Sequence, residues 1–188
     1  MKARGPALAS WARAYLRERL GGPRALRLEA EWASEPAATF VTLRWHADGE
    51  LQGCIGSLNA ARSIADDVAS HVVSAALHDP RAADLSLAQV DDLDLEISLL
   101  SPLEPIAFTD EASALAAIRV GVDGILLVAS GRRATLLPVM WEHLPDVAQF
   151  IGALKHKAGL PRGFWSPNVQ LWRYTTDRYV DPAPARAR

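Results

Sequence analysis

The sequence predicts a mixed α+β fold, an antiparallel or mixed sheet with flanking helices. Residues 93–99, LDLEISL, alternate strictly between apolar and polar, the period of a strand with one face on a core. Phe40 to Trp45 and Leu51 to Gly56 make two further strands around Asp48-Gly49, a hairpin connection. Helical and extended segments interleave without the continuous apolar strands of a parallel βαβ sheet.

The elements follow in chain order. Ser10 to Leu20 reads as a helix capped by Ser10, striped by Trp11, Tyr15 and Leu20, and stopped by Gly21, Gly22 and Pro23. The hairpin register follows from keeping apolar residues on one face. A three-residue loop, Ala47-Asp48-Gly49, aligns Val41, Leu43 and Trp45 with Ile55, Gly53 and Leu51. The other face then carries Thr42 opposite Cys54, and Arg44 opposite Gln52. A long helix is expected after Ser63, with Asp66 and Asp67 in its first turn and Asp79-Pro80 at its end. Ser86 and Gln89 form a capping box for a short helix before the strand at 93–99. Beyond Pro102 to Pro105 the pattern gives a helix over 110–117 and strands near 118–122, 125–129 and 134–137. A helix over 146–158 opens on Asp146 and closes on Gly159. A strand over 170–179 precedes a proline- and alanine-rich tail expected to fray.

The chain's 188 residues suffice for one domain, or for a large and a small lobe sharing a core. A formal charge of −2 argues against an electrostatic nucleic-acid surface. The N-terminus lacks a secretory apolar core, and no run approaches the roughly 20 apolar residues that span a bilayer. Cys54 is the only cysteine, which excludes an intramolecular disulfide and a multi-cysteine metal site. A reducing cytoplasm is the compartment this implies.

Leu51 to Leu58, LQGCIGSL, resembles the hallmark LRGCIG segment of the AMMECR-one domain family, whose bacterial members are called AmmeMemoRadiSam system protein A. TFVTLR, HDPR (His78 to Arg81), LDLEISLLSPLEPI, GVDGILL, LLPVMWEHLPD and KAGLP resemble the family in the same order, over about Ser10 to Tyr179. The resemblance implies two lobes around a cleft, a main lobe over roughly 10–108 plus the C-terminal segment and a smaller one over roughly 109–145. It implies no established activity; it does imply Memo-like and radical-SAM proteins as partners. Three positions depart from the family pattern. Gln52 stands where arginine is usual, Ala82 where phenylalanine is usual, and His156 near a position that is often cysteine or arginine.

Cys54 is the candidate catalytic residue, because a thiolate stabilised by a cation, a helix N-terminus or a histidine is a nucleophile. A small cysteine packed between layers is the alternative. Thr42, Arg44, Gln52, Gly53 and Gly56 are candidate ligand- or partner-binding residues around it, the glycines permitting close approach. Arg44 with Gln52 can orient an anionic or amide ligand or form a solvated cross-strand pair. Trp141 and His143 offer an aromatic platform with a titratable neighbour. No HExxH, CxxC or His-x-His pattern supports a metal, no glycine-rich loop supports a nucleotide cofactor, and none is expected. His71 and His78, seven residues apart, read as solvated helix-face residues, and GVDG (Gly121 to Gly124) as a turn. Two functions remain open, a ligand- or partner-binding accessory protein and a cysteine-dependent enzyme.

Overall fold

The computed structural model describes residues 4–184. These form two compact units, one running to Leu100 and resuming at Asp177, the other spanning Ser101–Thr176.

In the first unit β1 (Thr39–Trp45) lies between β2 (Leu51–Gly56) and β3 (Leu93–Leu100), and β8 (Thr176–Asp181) closes the sheet in the order β2-β1-β3-β8. Helices α1 (Arg4–Arg19) and α2 (Ile64–Leu77) cover one face of it. The alternation of the strands explains why only one face is covered. Val41 pairs with Ile97 and Leu43 with Leu95, and all four side chains are buried with Val68, Val72 and Leu16. Fully burying each such aliphatic side chain contributes about 1.5–3 kcal/mol. Arg13 locks α1 to the rest by donating to the carbonyls of Val90, Leu93 and Asp181 and pairing with the Asp181 carboxylate.

The second unit is a four-stranded sheet in the order β4-β7-β5-β6, formed by β4 (Glu104–Pro105), β5 (Gly124–Ala129), β6 (Arg132–Leu136) and β7 (Gln170–Tyr174). Helices α3 (Glu111–Ala116) and α4 (Val147–Lys157) supply Ala114, Phe150, Ile151 and Leu154 to its core. Asp110 and Asp146 cap these helices by accepting from Ser113 N–H and Gln149 N–H.

Four expectations are corrected. Helix α1 spans Arg4–Arg19, so Ser10 sits inside it rather than capping it; Pro6 is accommodated in its first turn, where its missing N–H costs nothing. Residues 118–122 form turns instead of a strand, because Arg119 folds back onto Asp123. The terminal strand divides at Thr175 into β7 and β8, one in each sheet. The second unit therefore extends well beyond 145 to include α4 and β7, since β7 pairs with β5 along its whole length.

The hairpin turn also differs. Thr42 pairs with Cys54 and Leu43 with Gly53 as expected, but Arg44 then pairs with Leu51. Gln52 is thus the extra residue of a β-bulge, and Trp45 N–H donates to Glu50 across a four-residue connection.

Candidate functional site

The bulge decides which side chains surround Cys54. A bulge turns two consecutive side-chain positions toward the same face, here positions 52 and 53 toward α2. Gln52 is fully buried, and its Nε2 donates to Ala76 O at 3.1 Å and Ala83 O at 2.7 Å. Ala76 carries one of the carbonyls that the end of α2 leaves without a helical partner, so Gln52 acts as a C-terminal cap. Both donors of the amide are spent on carbonyls, and Oε1 is left buried without a partner. Gln52 therefore does not sit beside the thiol, and it does not face Arg44. An arginine would fit this place on physical grounds, having five donors, no acceptor to strand, and a positive charge at a helix C-terminus.

The two glycines are packing devices. A Cβ on Gly53 would lie 2.0 Å from Ala75 O, so any side chain would force β2 off the helix. A Cβ on Gly56 would strike the Phe40 ring at 2.2 Å. Neither glycine presents open backbone to a ligand.

Cys54 points to the sheet face opposite the helices and is half-buried. The Thr42 hydroxyl donates to its Sγ at 3.3 Å. Its backbone N–H donates to Asp79 Oδ2 at 2.9 Å. The Asp79 carboxylate is buried, and Arg81 clamps it from Nε at 2.9 Å and Nη2 at 2.7 Å, with Arg81 N–H adding a third bond. The Arg81 fork holds the Asp79 carboxyl well below the usual carboxylate range despite the opposing effect of burial. The same guanidinium interacts electrostatically with Cys54. So the cation near the thiol comes from the HDPR turn after α2, at Arg81, 27 residues downstream of Cys54.

Residues on neighbouring strands extend this site across the sheet. Thr42 pairs with Cys54 on one side and Glu96 on the other, placing thiol, hydroxyl and carboxylate in one row. Arg178 on β8 closes the row with a fork onto Glu96, at 3.1 and 2.6 Å. Arg44 is exposed and donates to Gly49 O in its own turn. His46 pairs with Asp94 at 2.9 Å, so this imidazole is engaged away from the thiol. Among the described residues no histidine hydrogen-bonds Cys54, and no three His, Cys, Asp or Glu side chains are placed to hold a metal ion.

His71 is buried, unlike the exposed His78 and against the solvated expectation. Thr39 Oγ1 donates to Asp67 Oδ2 at 2.7 Å and lies 3.0 Å from His71 Nδ1, while Arg62 donates to Asp67 Oδ1. Arg62 Nη2 lies 3.4 Å from His71 Nε2; arginine only donates, so Nε2 accepts and Nδ1 carries the proton. Burial, assisted by Arg62 and opposed by Asp67, lowers the His71 pKa. The network fastens α2 to the start of β1 on the helix side of the sheet.

Trp141 and His143 belong to the second unit and do not join each other in a site. Trp141 is buried, stacked on Phe150 with centroids 3.8 Å apart and its indole N–H donating to Asp123 O. His143 is exposed beyond the short 3-10 turn over 138–142. Asp123, within GVDG, is no simple turn residue. It is fully buried and paired with Arg119 at 2.6 Å and Arg173 at 3.4 Å.

The AMMECR1 family model matches residues 9–179, nearly the whole described chain. The chain belongs to the AMMECR1 family. A protein of Methanothermobacter thermautotrophicus is 34% identical over 175 residues, covering 90% of each chain. One from Methanocaldococcus jannaschii is 30% identical, covering 93% of this chain and 88% of its own. Among solved structures, an uncharacterized protein from Pyrococcus horikoshii superposes with a TM-score of 0.85 at 26% identity, covering 96% and 92% of the two chains. That likeness bears out the α+β fold. In this AMMECR1 chain the backbone of Cys54 is held by the HDPR turn. Asp79 and Arg81 are the site residues that motif-by-motif reading passed over. The signal available was the occurrence of HDPR among the family motifs, but nothing in its spacing pointed to Cys54.

Proposed function

We propose that this AMMECR1 chain is a ligand- or partner-binding protein whose working surface is the Cys54 face of the first unit's sheet. In this reading it is of the AmmeMemoRadiSam system A type and acts in the cytoplasm with Memo-like and radical-SAM proteins. The observation that carries the reading is the fixed row from Arg81 through Cys54, Thr42 and Glu96 to Arg178, which offers a donor, acceptors and two cations but no histidine positioned to accept the thiol proton. Such a row suits recognition more than acyl transfer, which needs a base beside its nucleophile. Titrating the chain calorimetrically with a purified Memo-like protein tests it. Binding that survives Cys54→Ser within about threefold, yet weakens at least about tenfold in Arg178→Glu, supports the reading, since one well-placed charge contributes on that scale. Complete loss in the folded Cys54→Ser variant overturns it.

A second reading, a cysteine-dependent enzyme, rests on the Arg81 guanidinium that clamps Asp79, whose other bond is to the Cys54 backbone. It requires alkylation by iodoacetamide near neutral pH several-fold faster than a free thiol, and slower in Arg81→Ala. Labelling at the free-cysteine rate or below removes it.

A further inference from the structure

Away from the Cys54 face, the first unit contains an open cleft of about 920 Å³ between α1, the first turn of α2 and the segment 24–34, which ends in a short 3-10 turn. The size is at the upper end for small-molecule sites, which run about 300–1,000 Å³. Its aromatic wall is Trp11 and Tyr15, stacked with centroids 5.5 Å apart. The covering segment is tethered twice: Trp11 Nε1 donates to Leu26 O, and Ala25 N–H donates to Glu18 Oε2.

The polar groups lining this cleft are unequal in what they still need. Glu18 already accepts from Ala25, and Asp66 accepts from Ser63 Oγ at the N-terminus of α2, where a carboxylate is favoured. By contrast the Arg24 and Arg27 guanidiniums and the Tyr15 hydroxyl have no hydrogen-bond or ion-pair partner among the described residues. Both guanidiniums are exposed and so free to pair with an added anion beside the stacked aromatic pair, and the Tyr15 hydroxyl can donate to it. The geometry points to a second binding site here, for a planar aromatic anion: a flat ring that packs on Trp11 and Tyr15 and carries a sulfonate, carboxylate or phosphate held by Arg24 and Arg27. This inference is independent of the Cys54 surface.

The probe is 8-anilino-1-naphthalenesulfonate, a flat anion, titrated into the full ¹⁵N-labelled chain. Saturable binding should shift the Trp11 indole N–H, assigned by its loss in Trp11→Phe, together with the amides of 25–28. Arg24→Ala/Arg27→Ala should weaken binding at least about tenfold, the scale of lost charge-assisted hydrogen bonds. The double lysine variant should stay within about threefold because it keeps both charges. The uncharged analogue N-phenyl-1-naphthylamine should bind at least about tenfold more weakly, and Cys54→Ser should bind the probe unchanged. No saturable binding, shifts confined to other tryptophans, or unaltered affinity in the folded double alanine variant each overturn the site.

Discussion

Both units contain a buried aspartate clamped by a nearby arginine, and the two clamps serve different ends. In the first unit Asp79 is held by Arg81, and its remaining acceptor capacity goes to the backbone N–H of Cys54. In the second, Asp123 is held by Arg119 and Arg173, and its own carbonyl takes the indole N–H of the buried Trp141. The first clamp ends on the backbone of a half-buried cysteine, the second inside a core. A buried carboxylate with an arginine fork is thus not a functional signature by itself; what its spare lone pairs hold decides.

Ways to break this comparison rank by how much buried polar surface each change strands. Asp123→Ala should be the most damaging, about 3–4 kcal/mol by urea denaturation, because it leaves the mostly buried Arg173 without its carboxylate. Gly53→Ala should cost about 2–3 kcal/mol, since its Cβ meets a backbone carbonyl that cannot step aside. Asp79→Ala should cost less, about 1–2 kcal/mol, because Arg81 is exposed enough for water to replace the lost carboxylate and mainly the Cys54 N–H is orphaned. Equal losses for the two aspartates would show that the clamps are equivalent after all.

Gln52→Arg sharpens the same comparison. It should add about 0.5–1 kcal/mol by placing a charge at the α2 C-terminus and removing the stranded Oε1, while leaving the Cys54 alkylation rate unchanged. A large change in that rate would place residue 52 on the thiol's side of the sheet.

The smallest effect concerns pH. His71 has a folded pKa below the ordinary 6.5, so the unfolded chain binds the extra proton more readily. Its contribution to stability is complete above pH 6.5 and is lost as pH falls from there toward the folded value. Urea midpoints should therefore decline on acidification below about pH 6.5, and His71→Gln should flatten that decline. Asp67 and Arg62, the charged groups packed on this ring, keep their pairing in the variant. An unflattened curve would move the pH dependence to another group.

Local pattern was enough for much of the fold. Ser63 caps α2, Asp110 and Asp146 cap α3 and α4, and residues 93–99 form the strand their alternation required, because caps and periodicity act within a few residues. The pairing of Thr42 with Cys54 was equally legible, set by keeping Val41 and Leu43 on the core side. The same logic failed one step further along β2. Alternation assumes an unbroken ladder, and the bulge at Gln52 breaks it to satisfy a carbonyl at the end of a helix that alternation does not see.

What the sequence by itself determined, then, was most element types and the thiol's face, consequences of short-range sterics and periodic burial, while its motifs carried the family resemblance. Only the tertiary structure decided the company that thiol keeps. Asp79 and Arg81 reach Cys54 because α2 packs across β1 and β2, which returns its C-terminal turn to the strand it started beside. Contacts closed over that distance depend on how the layers stack, and no local rule carries that information.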